Sequence, residues 1–120
     1  MLSLTEHTSL TYYWYMLTVI ETPTFSKLWP DYWTEDERGE FAAWLMENPE
    51  VGDVVKHSGG CRKVRWSRPG SGKSSGVRVI YVNRLANNAI VLLLIYAKSA
   101  NDTMPPHILK NLAEEFGHAP

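Results

Sequence analysis

The chain has 120 residues, of which 44% are apolar and 21% charged, and its formal net charge is −1. This length suits one compact domain and is too short for two. A single cysteine, Cys61, excludes an intrachain disulfide and a cysteine-rich zinc site, and we expect it to be a buried thiol. The longest apolar run, residues 89–97, is far below the roughly 20 residues that a membrane helix needs. With no signal peptide evident at the start of the sequence, we expect a soluble, cytoplasmic protein.

In chain order, the first predicted strand begins near Leu17, within LTVIETPTF, and ends at Pro23. The segment FSKLWPDYW then predicts an aromatic connection or an irregular short helix that is broken by Pro30. The first regular helix begins at Thr34, because Thr34 and Glu37 have the spacing of a capping box. The segment ENPEVG ends this helix, since a residue before proline avoids helical backbone.

The second half predicts a hairpin, an interior strand and a closing helix. CRKVRWS alternates as a strand does, with Arg62, Val64 and Trp66 on one face and Lys63 and Arg65 on the other. VRVIYVN is the returning strand, and IVLLLIYAK is apolar on both faces, as an interior strand is. We therefore predict an α+β fold in which helices pack on an antiparallel sheet of about four strands, in the order β-α-β-β-β-α.

The turn of this hairpin, RPGSGKSSG at residues 68–76, partly matches a nucleotide phosphate loop. Gly72, Lys73 and Ser74 fit the end of the pattern G-x-x-x-x-G-K-[ST], but Ser67 stands at the first glycine position. A phosphate loop also opens a helix, whose N-terminus binds the anion, whereas this turn precedes a strand. We therefore expect that no nucleotide binds.

The net charge conceals a strong asymmetry. Residues 54–101 contain no carboxylate and nine basic side chains, a formal charge of +9. The nine are Lys56, Arg62, Lys63, Arg65, Arg68, Lys73, Arg78, Arg84 and Lys98. A positive potential of this size attracts polyanions, so the pattern favours contact with nucleic acid over a merely solvated basic face.

A series of motifs carries a family resemblance over about residues 17–116. In order these are N-P, G-D-V-V, G-G-C-R-K-V-R, the basic glycine loop, G-V-R-V-I-Y and L-L-L-I-Y-A-K. Together they resemble the RelE/ParE superfamily of bacterial toxins, most closely its HigB-like branch. The resemblance implies a ribosome-dependent endoribonuclease that cuts mRNA and is silenced by a cognate, HigA-like antitoxin. We expect no cofactor, no metal site and no membrane partner.

RNA supplies its own nucleophile for cleavage, the 2′-hydroxyl. The protein must supply a base for that proton, cations for the charge of the phosphorane and an acid for the 5′-oxygen. By their match to the family motifs, Lys63, Arg65 and Arg78 are the first candidates for catalysis. Lys98 after the last strand and the hydroxyl of Tyr96 complete the set. Which group is the base and which the acid stays open, as does a purely structural pairing of Arg78 or Lys98.

The remaining candidates are assigned to RNA binding rather than to catalysis. The basic residues expected to contact the phosphate backbone are Lys56, Arg62, Arg68 and Lys73. Trp66 is a candidate for stacking on an RNA base. Its alternation with Val64 favours a place in the core instead.

Two other functions stay open. One is a ParE-like inhibitor of DNA gyrase that performs no catalysis, although the dense basic hairpin favours RNA. The other is a catalytically inactive homologue that is retained for its contact with an antitoxin. A departure from the family permits this reading, because Ser99 stands where RelE-like enzymes carry an arginine, and no tyrosine follows.

Residues 1–15 are predicted to be an extension that precedes the domain at 16–120. Members of the resembled family begin directly with their first strand, which makes Met16 a candidate native start. The alternative is that the aromatic cluster of residues 12–15 lengthens the first strand or packs on a partner.

Overall fold

A computed structural model describes residues 17–67, 76–97 and 104–116 of the chain. The strands are β1 (Thr18–Glu21), β2 (Asp53–Val54), β3 (Cys61–Trp66), β4 (Val77–Arg84) and β5 (Ala89–Ala97). The α-helices are α1 (Pro23–Leu28), α2 (Glu35–Glu47) and α3 (Pro106–Phe116), and short 3₁₀ turns span Trp29–Asp31 and Leu85–Asn87. The predicted α+β class is confirmed. None of the helices in these ranges is long and apolar enough to cross a membrane.

One sheet contains all five described strands, in the spatial order β1-β5-β4-β3-β2. The pairs β2–β3, β3–β4 and β4–β5 are antiparallel, whereas β1 runs parallel to β5. The sheet therefore has five strands rather than about four, and it is mixed rather than wholly antiparallel. A parallel pair needs a long crossover connection, and here the whole chain between β1 and β5 provides it.

The entry into the first helix differs from the expectation that Pro23 only ends a strand. Strand β1 ends at Glu21, and Pro23 occupies the first turn of α1, where its missing N–H costs nothing. Thr22 caps this helix, because its Oγ1 accepts from the N–H of Phe25 at 3.2 Å. Its hydroxyl also donates to the carbonyl of Leu93 at 3.4 Å, which ties the start of α1 to β5.

The capping box predicted for α2 is confirmed. The N–H of Glu37 donates to Thr34 Oγ1 at 3.2 Å, and Glu37 Oε1 accepts from the N–H of Thr34 at 2.9 Å. Phe41 and Leu45, four residues apart on one side of the helix, are fully buried. This spacing places the apolar side of α2 against the sheet.

The sheet separates two apolar clusters. On one face, Trp66 and alternate residues of β4 and β5 pack with Phe25, Trp33 and Phe41 from the α1–α2 region. On the other face, Cys61 and the intervening strand residues pack with Leu109 of α3. Strand β5 is buried on both faces over most of its length, so its prediction as an interior strand is confirmed.

A turn between α2 and β2 is fastened to the sheet by Tyr81 of β4. The Tyr81 hydroxyl donates to the carbonyl of Pro49 and accepts from the N–H of Gly52, both at 2.9 Å. Asn83 Nδ2 donates to the same Pro49 carbonyl at 2.8 Å. Tyr81 is fully buried, and this burial raises the pKa of its phenol. The turn is therefore held by a neutral hydroxyl that both donates and accepts.

Candidate active site on the α3 face of the sheet

Three of the predicted catalytic residues lie in one row across the sheet. The register places Arg65 of β3 directly opposite Arg78 of β4, and Arg78 directly opposite Tyr96 of β5. Directly opposite residues of antiparallel strands project from the same face, with Cβ atoms about 4.5–5.5 Å apart. The hairpin predicted from the alternating sequence therefore brings two guanidinium groups and a phenol side by side. We refer to Arg65, Arg78 and Tyr96 as the cross-strand row.

Lys63 extends this arrangement along β3. It precedes Arg65 by two residues and so lies on the same face, about 7 Å away along the strand. The side chain of Lys63 is half-buried, whereas that of Arg65 is exposed. The other predicted catalytic residue, Lys98, lies outside the described residues, as does Ser99. Four of the five predicted catalytic side chains are thus neighbours on the sheet.

Arg78 is an unusual member of the row because it is buried. Its side chain is 9% exposed, and its Nη1 has no hydrogen-bond partner in the described part of the chain. A buried donor with an unmade hydrogen bond costs about 1–3 kcal/mol. The directly opposite Arg65 adds repulsion between like charges. This is the electrostatic arrangement of a site that gains stability when an anion supplies acceptor oxygens.

Two ion pairs in the described ranges lie away from these charges. They join Arg38 to Glu21 at 2.6 Å and to Glu35 at 3.1 Å. Both belong to the region of β1 and α2, and neither involves Lys63 or the row. An external phosphate is a suitable partner for the arginines of the row, because arginine binds phosphate through two parallel hydrogen bonds.

Tyr96 closes the row at β5. Its half-buried side chain packs against the apolar cluster that includes Leu94 and Leu109. This packing on the α3 side agrees with the face that the register assigns to Arg65 and Arg78. The phenol oxygen can both donate and accept a proton, which neither arginine does at neutral pH.

Cys61 lies on the same face of β3, two residues before Lys63. It is fully buried and unpaired, as predicted, and its Sγ donates weakly to the carbonyls of Ser58 and Leu109 at 3.4 and 3.5 Å. Burial raises the pKa of this thiol, which disfavours the reactive thiolate. Cys61 is therefore a packing residue rather than a nucleophile.

The residues predicted to bind RNA are more dispersed. Lys56 is exposed in the turn before β3. Arg62 projects from the face opposite to Lys63, and its Nη1 donates to the carbonyls of Glu50 and Gly52 at 3.1 and 2.7 Å. Arg62 thus stabilises the turn that Tyr81 also holds, and its contact with RNA stays a prediction. Arg68 and Lys73 lie outside the described residues.

Trp66 occupies the core position that its alternation with Val64 favours. It is 8% exposed, and its ring lies edge-on to Trp33 and Phe41 at centroid distances of 5.5 and 5.6 Å. Its remaining exposed rim borders a cleft that the sequence did not reveal. The cleft has a volume of about 470 Å³ and is lined by Glu40, Trp44, Arg65, Trp66 and Ser67.

Comparison with known proteins bears on the fold. The sequence matches no protein-family model. Among solved structures, the chain is similar to a mutant of the E. coli toxin RelE in the free state, with a TM-score of 0.54. The fold is RelE-like. The likeness covers 72% of this chain and 87% of the RelE chain at 13% sequence identity. At this identity it concerns the RelE-like fold and not the HigB-like branch or an activity.

Proposed function

We propose that this protein is the toxin of a type II toxin–antitoxin system and that it cleaves mRNA on the ribosome. The observation that carries the proposal is the cross-strand row of Arg65, Arg78 and Tyr96, with Lys63 beside it, on a RelE-like fold. The similar solved structure is that of a toxin. The HigB-like sequence motifs add the finer assignment within the superfamily.

The row suits cleavage by the 2′-hydroxyl of the RNA itself. In this reaction the 2′-oxygen loses its proton and attacks the neighbouring phosphorus, and the bond from phosphorus to the 5′-oxygen breaks as that oxygen gains a proton. The products are a 2′,3′-cyclic phosphate and a 5′-hydroxyl end. Arg65 and Arg78 would bind the phosphate and stabilise the extra negative charge of the phosphorane, which forms between them.

Lys63 and Tyr96 flank the two arginines on different sides. Lys63 lies beside Arg65 along β3, and Tyr96 lies beside Arg78 across the strands. A proton must leave one side of the phosphorus and another must arrive at the opposite side, because the entering and leaving oxygens are in line. Lys63 and Tyr96 are therefore the groups that we propose for the two proton transfers.

The burial of Arg78 favours an RNase over a gyrase inhibitor. A surface that only docks on another protein gains nothing from an arginine that is 9% exposed and carries an unmade hydrogen bond. A phosphodiester that displaces the groups covering this guanidinium would supply the missing acceptors. The penalty carried by the free protein then becomes binding energy for the reacting group.

The proposal includes the partners of the toxin. A HigA-like antitoxin would silence it, and the ribosome would present the mRNA, so the protein would act in the cytoplasm. Lys56, Arg68 and Lys73 would bind further phosphates of the RNA, and the number of phosphates neutralised sets the salt dependence of binding.

Primer extension on mRNA translated in the presence of the purified protein tests this function. Discrete cuts at codon positions are expected with the wild type, and Arg65→Met or Arg78→Met should reduce cleavage about a hundredfold or more. Arg84→Met is the matched control, since it removes the same charge from β4, six residues from Arg78 on the same face, and should leave cleavage unchanged. Intact mRNA with damaged DNA would indicate a gyrase inhibitor instead. Intact mRNA and intact DNA would indicate an inactive antitoxin-binding homologue.

A further inference from the structure

The cleft between α2 and the end of β3 shares Arg65 with the row, but it opens on the α2 face of the sheet, opposite the α3 face that carries the row. Two indoles border it: Trp44, which is half-buried, and Trp66, whose rim alone is exposed. Phe41 supports both rings, with centroid distances of 6.0 Å to Trp44 and 5.6 Å to Trp66. The cleft volume of about 470 Å³ falls within the roughly 300–1,000 Å³ of small-molecule sites.

We propose that this cleft binds one nucleobase of the RNA, whose backbone passes around Arg65 at the end of β3 to the phosphate site of Arg65 and Arg78 on the other face. The inference rests on the proposed function and extends it, because it names Trp44 as the residue on which the base stacks. Single-stranded bases bind proteins mainly by stacking on aromatic side chains beside a cationic track. Here the aromatic wall and the cationic track meet at Arg65, which belongs both to the row and to the lining of the cleft.

The side chains at the cleft give the nucleotide a direction. Arg65, on the β3 side, attracts the phosphate, whereas Trp44, on the α2 side, offers an aromatic ring. The neutral base therefore enters between α2 and β3, and the sugar–phosphate backbone stays on the side of Arg65. Bound in this way, a neighbouring base would fix the register of the strand and so decide which phosphate reaches Arg78.

Binding of a single-stranded RNA hexamer with 2′-O-methyl groups tests the site without cleavage, because the nucleophile is blocked. Stacking should quench the tryptophan fluorescence of the wild type. Trp44→Leu should lose affinity by roughly 5- to 150-fold, the range measured when a stacking side chain is removed. Trp44→Phe, which keeps an aromatic face, should recover much of it. Trp29→Leu is the control, because Trp29 lies under Arg38, with that guanidinium 4.4 Å from its ring centroid, and not in the cleft.

A hexamer with one abasic position separates base stacking from a general loss of binding. When the missing base is the one that would enter the cleft, the hexamer should bind the wild type and Trp44→Leu with equal affinity. An affinity for the intact hexamer that Trp44→Leu leaves unchanged would overturn the proposal. Unchanged RNA affinity together with weaker antitoxin binding would assign the cleft to the protein partner and would also overturn it.

Primer extension with the same variants keeps this inference distinct from the proposed nuclease. Cuts by Trp44→Leu at the wild-type positions and rate would refute the base site and leave the nuclease standing. Base-dependent binding of the hexamer by a wild type that makes no cuts would refute the nuclease and leave the base site standing. The expected result is cleavage by Trp44→Leu that is slower and spread over a different set of positions.

Discussion

Replacing Arg78 with methionine should stabilise the fold and abolish RNA cleavage at the same time. Methionine keeps the apolar stem of arginine and removes its guanidinium. In the wild type this guanidinium is buried, its Nη1 lacks a partner among the described residues, and Arg65 lies directly opposite. If Arg78 supported the fold instead, its replacement would lower both the stability and the activity.

The size of the stabilisation follows from these interactions. An unmade buried hydrogen bond costs about 1–3 kcal/mol, and like charges directly opposite in a sheet add roughly 0.2–1 kcal/mol. Their removal should raise the free energy of unfolding by about 1–4 kcal/mol in total. For a domain of this size, that corresponds to a melting temperature higher by roughly 4 °C per kcal/mol.

Urea and thermal unfolding at pH 7 measure this change, and the translation assay measures cleavage. Arg65→Met is the matched control, because it removes the same charge from the same row at an exposed position. Its stability should rise only by the relieved repulsion, roughly 0.2–1 kcal/mol, while its cleavage should fall as far as that of Arg78→Met.

Inorganic phosphate supplies a second measurement. It should raise the melting temperature of the wild type, because it binds the folded site alone, and should not raise that of Arg78→Met. A variant less stable than the wild type by about 1 kcal/mol or more would show that the guanidinium supports the fold. Undiminished cleavage by the variant would place the phosphate site elsewhere.

Three further results are expected. Tyr81→Phe should lower the free energy of unfolding by about 1–3 kcal/mol, because the N–H of Gly52 loses its acceptor. Burial raises the pKa of Tyr81 in the folded protein above its ordinary value of 10.0. The phenol should therefore contribute fully to the free energy of unfolding below about pH 10, and this contribution should be lost as the pH rises beyond that value. Urea unfolding between pH 7 and pH 11 should show a smaller alkaline loss for Tyr81→Phe, and an equal loss would contradict the assignment. Neutralising Lys73 and Arg68 together should weaken RNA binding. The slope of the logarithm of the binding constant against the logarithm of salt concentration should become shallower by about 0.7 for each RNA phosphate that is no longer neutralised. An unchanged slope would mean that the loop at residues 68–76 only connects β3 and β4. A chain that begins at Met16 should fold with unchanged stability, bind the antitoxin and arrest growth, whereas melting several degrees lower would place the preceding aromatic residues in the core.

The sequence was informative wherever local pattern determines structure. The alternation of CRKVRW predicted β3 and its two faces, which brought Lys63 and Arg65 to one side. The continuous apolar run predicted β5 as an interior strand, and the spacing of Thr34 and Glu37 predicted the start of α2. Each of these signals depends on residues within one element, so no tertiary information was needed.

Features that depend on distant parts of the chain were not predictable. The parallel pairing of β1 with β5 leaves no local trace, and β2 consists of two exposed residues without an apolar pattern. Helix α1 has one fully buried residue, Phe25, which is too few to show a helical period, so the sequence left an irregular short helix and a connection as alternatives. The burial of Arg78 was also hidden, because a basic residue at the start of a strand normally predicts exposure.

The bond between Thr22 and Leu93 joins residues that are 71 positions apart. At a synthesis rate of about 5–20 residues per second, roughly 4–14 s separate the appearance of these two residues at the ribosome. Strand β1 has no strand to pair with during that interval, and the cross-strand row also lacks Tyr96, because both require β5. Each ribosome that makes this protein therefore completes most of the chain before the row can exist.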